Sequence, residues 1–149
     1  HFGKKFYKTF FKKIKNILND DGICLLHTIG SVDPPGAPQT WIQKRIFPGG
    51  IVPSLSDMVK PIEKTGLIIS DCETLIHHYD KTLKAWLERF MENKEEAKYM
   101  HGKEFVRMWE FYLASCSAAF KFRDLVVYQL QLVKKFTAPP SNRRNYIYQ

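Results

Sequence analysis

Apolar residues recur at three- and four-residue spacing in Phe6, Phe10, Ile14, Ile17 and Leu18. That spacing predicts a helix from about Lys4 to Leu18 with the stripe facing a core. The turn formers Asn19-Asp20-Asp21-Gly22 stop it. Ile23 to Ile29 is a near-continuous apolar run, the pattern of a strand buried on both faces. Gly30 to Pro38 reads as a loop, because Pro34, Pro35 and Pro38 restrict the backbone and remove donors. Trp41 to Phe47 predicts a short helix ended by Pro48-Gly49-Gly50. Ser54 is placed to cap the next helix with Asp57 three residues on; Leu55, Met58, Val59 and Ile62 form its stripe and Gly66 closes it. Leu67 to Ile76 is a second strand. Helices follow over Lys81 to about Asn93 and about Lys103 to Phe122, the latter with a core stripe of Phe105, Met108, Trp109, Tyr112, Cys116, Ala119 and Phe120. Leu125 to Val133 is a third strand, alternating Tyr128, Leu130 and Leu132 with Gln129 and Gln131. The tail from Phe136 to Gln149 reads as flexible.

Strands alternating with helices give an α/β layout, with one domain over residues 1–135 and a tail over 136–149. At 149 residues and 44% hydrophobic the chain is long enough for one core. Its longest apolar runs fall far short of the roughly 20 residues of a membrane-spanning helix, and no signal-type stretch follows the N-terminal lysines. The chain begins at His1 without a methionine and its first element follows at once, which points to a cut. Cys24, Cys72 and Cys116 are odd in number, widely spaced and without a CxxC pair. They read as small buried apolar residues in a reducing cytoplasm, not as a disulfide framework or zinc site. His77 and His78 are neighbours on a chain that points alternate side chains apart, a poor arrangement for a metal. The sequence contains no GxGxxG, P-loop or nucleophile elbow.

The net charge of +8 points to an acidic partner: nucleic acid, an anionic membrane or an acidic protein. Lys4, Lys5, Lys8, Lys12, Lys13 and Lys15 gather on the first helix, opposite its apolar stripe. A solvated face is the plain meaning of this pattern, and recruitment to phospholipid headgroups is the functional one. Nucleic acid is disfavoured, because no stacking aromatics are interleaved with the basic residues and no nucleic-acid motif is present.

Four stretches carry a resemblance: Gly22-Ile23-Cys24-Leu25-Leu26-His27-Thr28-Ile29-Gly30-Ser31; Trp41-Ile42-Gln43-Lys44-Arg45-Ile46-Phe47-Pro48-Gly49-Gly50; His78-Tyr79-Asp80-Lys81-Thr82-Leu83-Lys84-Ala85-Trp86; and Phe111-Tyr112-Leu113-Ala114-Ser115-Cys116-Ser117-Ala118-Ala119-Phe120. In order and spacing they resemble successive signatures of the cyclopropane fatty acyl phospholipid synthases, and they span nearly the whole chain. His1-Phe2-Gly3 is similar to the end of that family's Glu-His-x-Gly motif, which makes His1 its remnant. The resemblance implies the C-terminal part of a class I, Rossmann-like methyltransferase sheet. It would have three strands with flanking helices, the last strand antiparallel and lying between the other two. The glycine-rich turns that bind S-adenosylmethionine would belong to an upstream half.

The implied reaction is methyl transfer from S-adenosylmethionine to the cis double bond of an unsaturated phospholipid acyl chain, after which the cation loses a proton as a ring closes. In the family a bound bicarbonate is held near that cation. Matched position by position, His27 takes its histidine, Ile29 its backbone group and Tyr79 its tyrosine; imidazole N–H and phenol O–H are donors suited to a small oxyanion. The resemblance further implies a cytoplasmic protein peripheral to the inner face of the membrane, and a chain inactive by itself. The alternative is a non-catalytic lipid- or protein-binding relative on the same scaffold. Loss of a neighbouring strand would leave Ile23 to Ile29 as an apolar edge without lysine or proline, which favours homo-oligomers through that edge.

Overall fold

A computed structural model describes residues 3–34, 40–139 and 144–147. His1, together with Pro35 and Pro38 of the expected loop, lies outside the described residues. Two compact units emerge, residues 1–74 with 128–149 and residues 75–127.

In the first unit a single 3-10 turn, Lys4–Phe6, leads into α1 (Tyr7–Ile17). The buried ring on α1 is Phe11, whereas Phe6 is 48% and Ile17 68% exposed. The expected stripe is therefore rotated: Phe10, Phe11, Ile14 and Leu18 face inward, and Phe6 and Ile17 do not. β1 (Ile23–Ser31) follows, then α2 (Thr40–Arg45) and α3 (Leu55–Thr65). α3 is set by its ends. Ser54 and Asp57 form a reciprocal capping box, and Gly66 at φ 73° takes the left-handed position that closes the helix. α1 and α3 pack on each other, with Lys15 Nζ donating to the Thr65 carbonyl at 2.7 Å and Lys4 Nζ 2.8 Å from Asp57 Oδ2.

β2 (Ile68–Leu75) and β3 (Leu125–Val133) complete a three-stranded sheet in the order β1-β3-β2. The sheet is antiparallel, and β3 is its centre. Leu130, Leu132 and Val133 are fully buried, each stabilising by about 1.5–3 kcal/mol relative to exposure. β1 departs from the expectation of burial on both faces. Leu26, Thr28 and Gly30 are covered to varying degrees, while Ile23, Leu25, His27 and Ile29 are exposed. One face of β1 is thus the more exposed. Gly30 is fixed by close approach, since a Cβ there would overlap the Tyr128 ring and sit 3.0 Å from the Pro53 carbonyl oxygen. The Tyr128 hydroxyl donates to the Ser31 carbonyl at 3.0 Å, and Ser31 N–H donates to Pro53 O at 2.9 Å. Of the tail, Arg144–Ile147 form a 3-10 helix. Arg144 Nε lies 2.7 Å from Asp71 Oδ2, and the Tyr146 hydroxyl donates to Gln131 Oε1 at 2.7 Å.

The second unit is built on α4 (His78–Glu92) and α5 (Lys94–Phe122), which pack together. α4 begins three residues before the expected Lys81, because His77 adopts φ 59° and turns the chain into the helix at once. α5 contains a break at Gly102 (φ 83°, ψ 167°), so the expected start at Lys103 is the start of its second segment. The buried positions of α5 are Val106, Leu113, Cys116, Ser117, Ala119 and Phe120. Phe105, Met108, Trp109 and Tyr112, expected in the core, are half-buried. Phe105, Trp109 and Tyr112 instead form a ladder of rings with centroids 5.9 and 5.2 Å apart. Of the cysteines only Cys116 is buried; Cys24 is half-buried and Cys72 exposed, against the expectation for all of them.

Candidate functional site

His27 and Ile29 lie on the same, exposed face of β1, as the two-residue period of a strand requires. His27 Nδ1 is 3.2 Å from Gln129 Nε2 on the neighbouring β3. An amide nitrogen only donates, so Nδ1 accepts and the neutral ring carries its proton on Nε2. The imidazole thereby presents an N–H on the side away from Gln129. The Ile29 carbonyl accepts from the Thr28 hydroxyl at 3.0 Å. Two recesses in this unit border the strand. One, about 230 Å³ and mainly apolar, is lined by Phe10, Phe11, Leu26, Ile51, Pro53 and Met58 with Tyr7, His27 and Thr28. The other, about 160 Å³, is lined by Leu25, Asp71, Glu73, Gln129, Gln131 and Tyr146.

Tyr79 belongs to the second unit, in the first turn of α4. Its ring meets Trp86 edge-on at 5.9 Å and Phe120 at 5.1 Å. The adjacent Asp80 is buried. It accepts a hydrogen bond from the Ser117 hydroxyl and pairs with Lys84 Nζ at 2.9 Å. The Ser117 hydrogen bond first, and Lys84 after it, hold the Asp80 carboxyl below the usual carboxylate range. Asp80 thus ties the turn that carries Tyr79 to α5.

Sequence reasoning passed over Tyr112 and Cys116 as stripe residues. Burial, with contributions from Cys116 and Tyr79, pushes the Tyr112 phenol up to about 12. Burial also raises the Cys116 thiol above its ordinary value, against the hydrogen bond from Tyr112. At neutral pH both groups are protonated, so this cluster offers neutral hydrogen-bonding groups and no thiolate nucleophile. Gln129 was visible as a polar residue in an apolar strand, but its partner was not. His77 and His78 sit at the start of α4, and no metal-binding cluster occurs among the described residues.

The profile of the mycolic acid cyclopropane synthetase family matches residues 1–130. The chain belongs to this family. Members of the family are methyltransferases that use S-adenosylmethionine. The cyclopropane-fatty-acyl-phospholipid synthase of Escherichia coli strain K12 is 37% identical over 130 residues, covering 87% of this chain and 34% of that protein. The structure of the cyclopropane synthase MmaA2 from Mycobacterium tuberculosis superposes with a TM-score of 0.80 at 31% identity, over 89% of this chain and 51% of that one. Mycolic acid cyclopropane synthase CmaA1, solved in complex with SAH and CTAB, superposes at 0.79 with 29% identity, again over 89% and 51%. The fold is accordingly the C-terminal part of an α/β methyltransferase sheet, and the chain spans between a third and a half of these relatives' length. No helix among the described residues is long and apolar enough to cross a membrane.

Proposed function

We propose that this chain forms the C-terminal part of an enzyme that transfers a methyl or methylene group from S-adenosylmethionine to the double bond of an unsaturated phospholipid acyl chain. In this reading His27 and the backbone at Ile29, in the first unit, and Tyr79, in the second, are the residues assigned to a small oxyanion. The observation that carries this reading is the His27–Gln129 hydrogen bond, 3.2 Å long, which commits Nδ1 as an acceptor and leaves Nε2–H as a donor for an anion. Bicarbonate fits that donor, and when bound it would supply the base for the proton lost on ring closure. The protein would work in the cytoplasm, peripheral to the inner face of the membrane. The 149 residues contain no glycine-rich phosphate or nucleoside loop, so titration of the chain alone with S-adenosylmethionine should give no saturable heat. β1 is an edge of the sheet and carries no lysine or proline to discourage pairing. A second copy pairing along it gives a homodimer, to be read by light scattering.

The deciding experiment replaces the matching 130-residue segment of the Escherichia coli synthase with this chain and analyses the phospholipid acyl chains by gas chromatography. The expected product is a cyclopropane, or a methyl-branched chain if the site methylates without closing the ring. His27→Ala and Tyr79→Phe should each lower turnover, by up to about 10²-fold for the histidine. A folded chimera that binds the methyl donor and forms neither product would point to the non-catalytic alternative. An active chimera indifferent to His27→Ala would remove the oxyanion assignment.

A further inference from the structure

The lysines of the first helix do not all stand alike. Lys4 is paired with Asp57 at 2.8 Å, and Lys15 is bound to the Thr65 carbonyl at 2.7 Å. Lys15 serves the packing of α1 against α3, and Lys4 ties the preceding 3-10 turn to α3. Lys5, Lys8, Lys12 and Lys13 are exposed. The segment from Gly3 to Leu18 holds no acidic residue. The nearby Asp20 is engaged by Lys135 at 2.7 Å and Lys134 at 3.6 Å, so it does not neutralise the helix. The exposed apolar residues are placed with these cations. Phe6, Lys13 and Ile17 fall at successive seven- and four-residue steps, one row on a helix. Phe6 is 48% and Ile17 68% exposed, and the Lys5 ammonium lies 5.2 Å from the Phe6 ring centroid. Phe6 and Ile17 thus stand among the cations on one face. A bilayer interface accommodates both, with ammonium groups at lipid phosphates and the ring and branched chain at the acyl boundary.

We propose that the outward face of the first helix, Lys5, Phe6, Lys8, Lys12, Lys13 and Ile17, is the surface by which the protein rests on an anionic phospholipid bilayer. The inference deepens the reading that the substrate is a membrane phospholipid, and it names the contact that brings the protein to it. Charge and apolar contact act together: the lysines draw the helix to the surface over a Debye length of about 8 Å, and Phe6 and Ile17 set its depth.

The test is flotation of the chain with vesicles of phosphatidylcholine alone and of phosphatidylcholine mixed with phosphatidylglycerol, at low and high salt. Binding should require the anionic lipid and weaken as salt rises. Each lysine near an anionic surface is worth about fivefold in binding, so Lys5→Gln/Lys8→Gln/Lys12→Gln/Lys13→Gln together should lower it several-hundredfold, on the order of 10² to 10³. Phe6→Ser/Ile17→Ser should weaken binding and leave its salt dependence in place. Lys81→Gln/Lys103→Gln/Arg107→Gln/Lys121→Gln removes the same charge from the second unit and should change binding little. Circular dichroism of each variant confirms that these exposed changes leave the fold intact. Equal loss in the two charge variants overturns the proposal, because net charge and not this face would then be read. Binding to neutral vesicles as strong as to anionic ones overturns it too. So does salt-dependent retention on polyglutamate without vesicle binding, which would assign the face to an acidic protein. Vesicle binding needs no methyl donor, so this outcome is independent of whether the chimera makes product.

Discussion

Gly30→Ala tests the packing that sets the carboxyl end of β1, one residue beyond Ile29. The added methyl would overlap the edge of the Tyr128 ring and lie 3.0 Å from the Pro53 carbonyl oxygen. Tyr128 is only 4% exposed, and its hydroxyl is tied to the Ser31 carbonyl at 3.0 Å. The ring therefore yields only by leaving its hydrogen bond. Overpacking costs about 1–3 kcal/mol, and a broken hydrogen bond adds about 1 kcal/mol. The expected destabilisation is about 2–4 kcal/mol, read as a lower urea midpoint at unchanged slope. The ring is the cause if the cost disappears with it. In a Tyr128→Leu background, alanine at position 30 should cost less than about 1 kcal/mol, the remainder coming from Pro53. Costs that add without coupling in the double-mutant cycle would refute the argument, and would mean that β1 moves away from β3 as a body.

Ser54→Ala removes one half of the α3 capping box and should cost about 1 kcal/mol in the same urea assay; Ser54→Asp should recover most of it. His77→Gly should raise stability by up to about 1 kcal/mol, because the φ of 59° is a left-handed position that glycine takes without strain. Acid should unfold the chain through its paired carboxylates. Burial pushes the Asp57 carboxyl up, but the Lys4 ammonium and the Ser54 N–H and hydroxyl outweigh it and hold it below the usual carboxylate range; Asp80 is also held low. A folded pKa below the unfolded value, about 3.9, gives stability that is full above that value and is lost as pH falls through the folded pKa. Urea midpoints should therefore be flat near neutrality and fall below about pH 4. Asp80→Asn should make the fall shallower, and an unchanged slope of midpoint against pH would show that other groups carry it.

Much of the fold was legible where local chemistry decides the outcome. The bounds of β3 follow from its pattern, and Ser54, Asp57 and Gly66 mark both ends of α3 in the sequence as in the structure. Misreadings arose where a pattern names an apolar residue but not what covers it. Ile23 to Ile29 has the composition of a strand buried twice over, yet Leu25 is 60% exposed, because burial depends on elements that composition does not describe. The first helix shows the same limit, since the period picked out Phe10 and passed over Phe11, its buried ring. α4 and α5 were misplaced at their starts by backbone choices at His77 and Gly102, where glycine was a visible signal and histidine was not.

The candidate site was legible in a different way. His27, Ile29 and Tyr79 were found by resemblance, whereas the chemistry available to them came from neighbours distant in sequence. Gln129 sets the tautomer of His27 from 102 residues away. Ser117, 37 residues from Asp80, steadies the turn next to Tyr79. A sequence motif names the group that meets the ligand, because that group's type is constrained by the chemistry. The partner that orients it need only supply an amide or a hydroxyl at the right place, and many residues on many elements can do so. Gln129→Leu separates these roles: it leaves His27 in the strand but removes the donor that makes Nδ1 an acceptor. If orientation matters, the chimera should lose turnover with Gln129→Leu and regain part of it with Gln129→Asn, whereas two equally inactive variants would argue that position 129 serves packing alone.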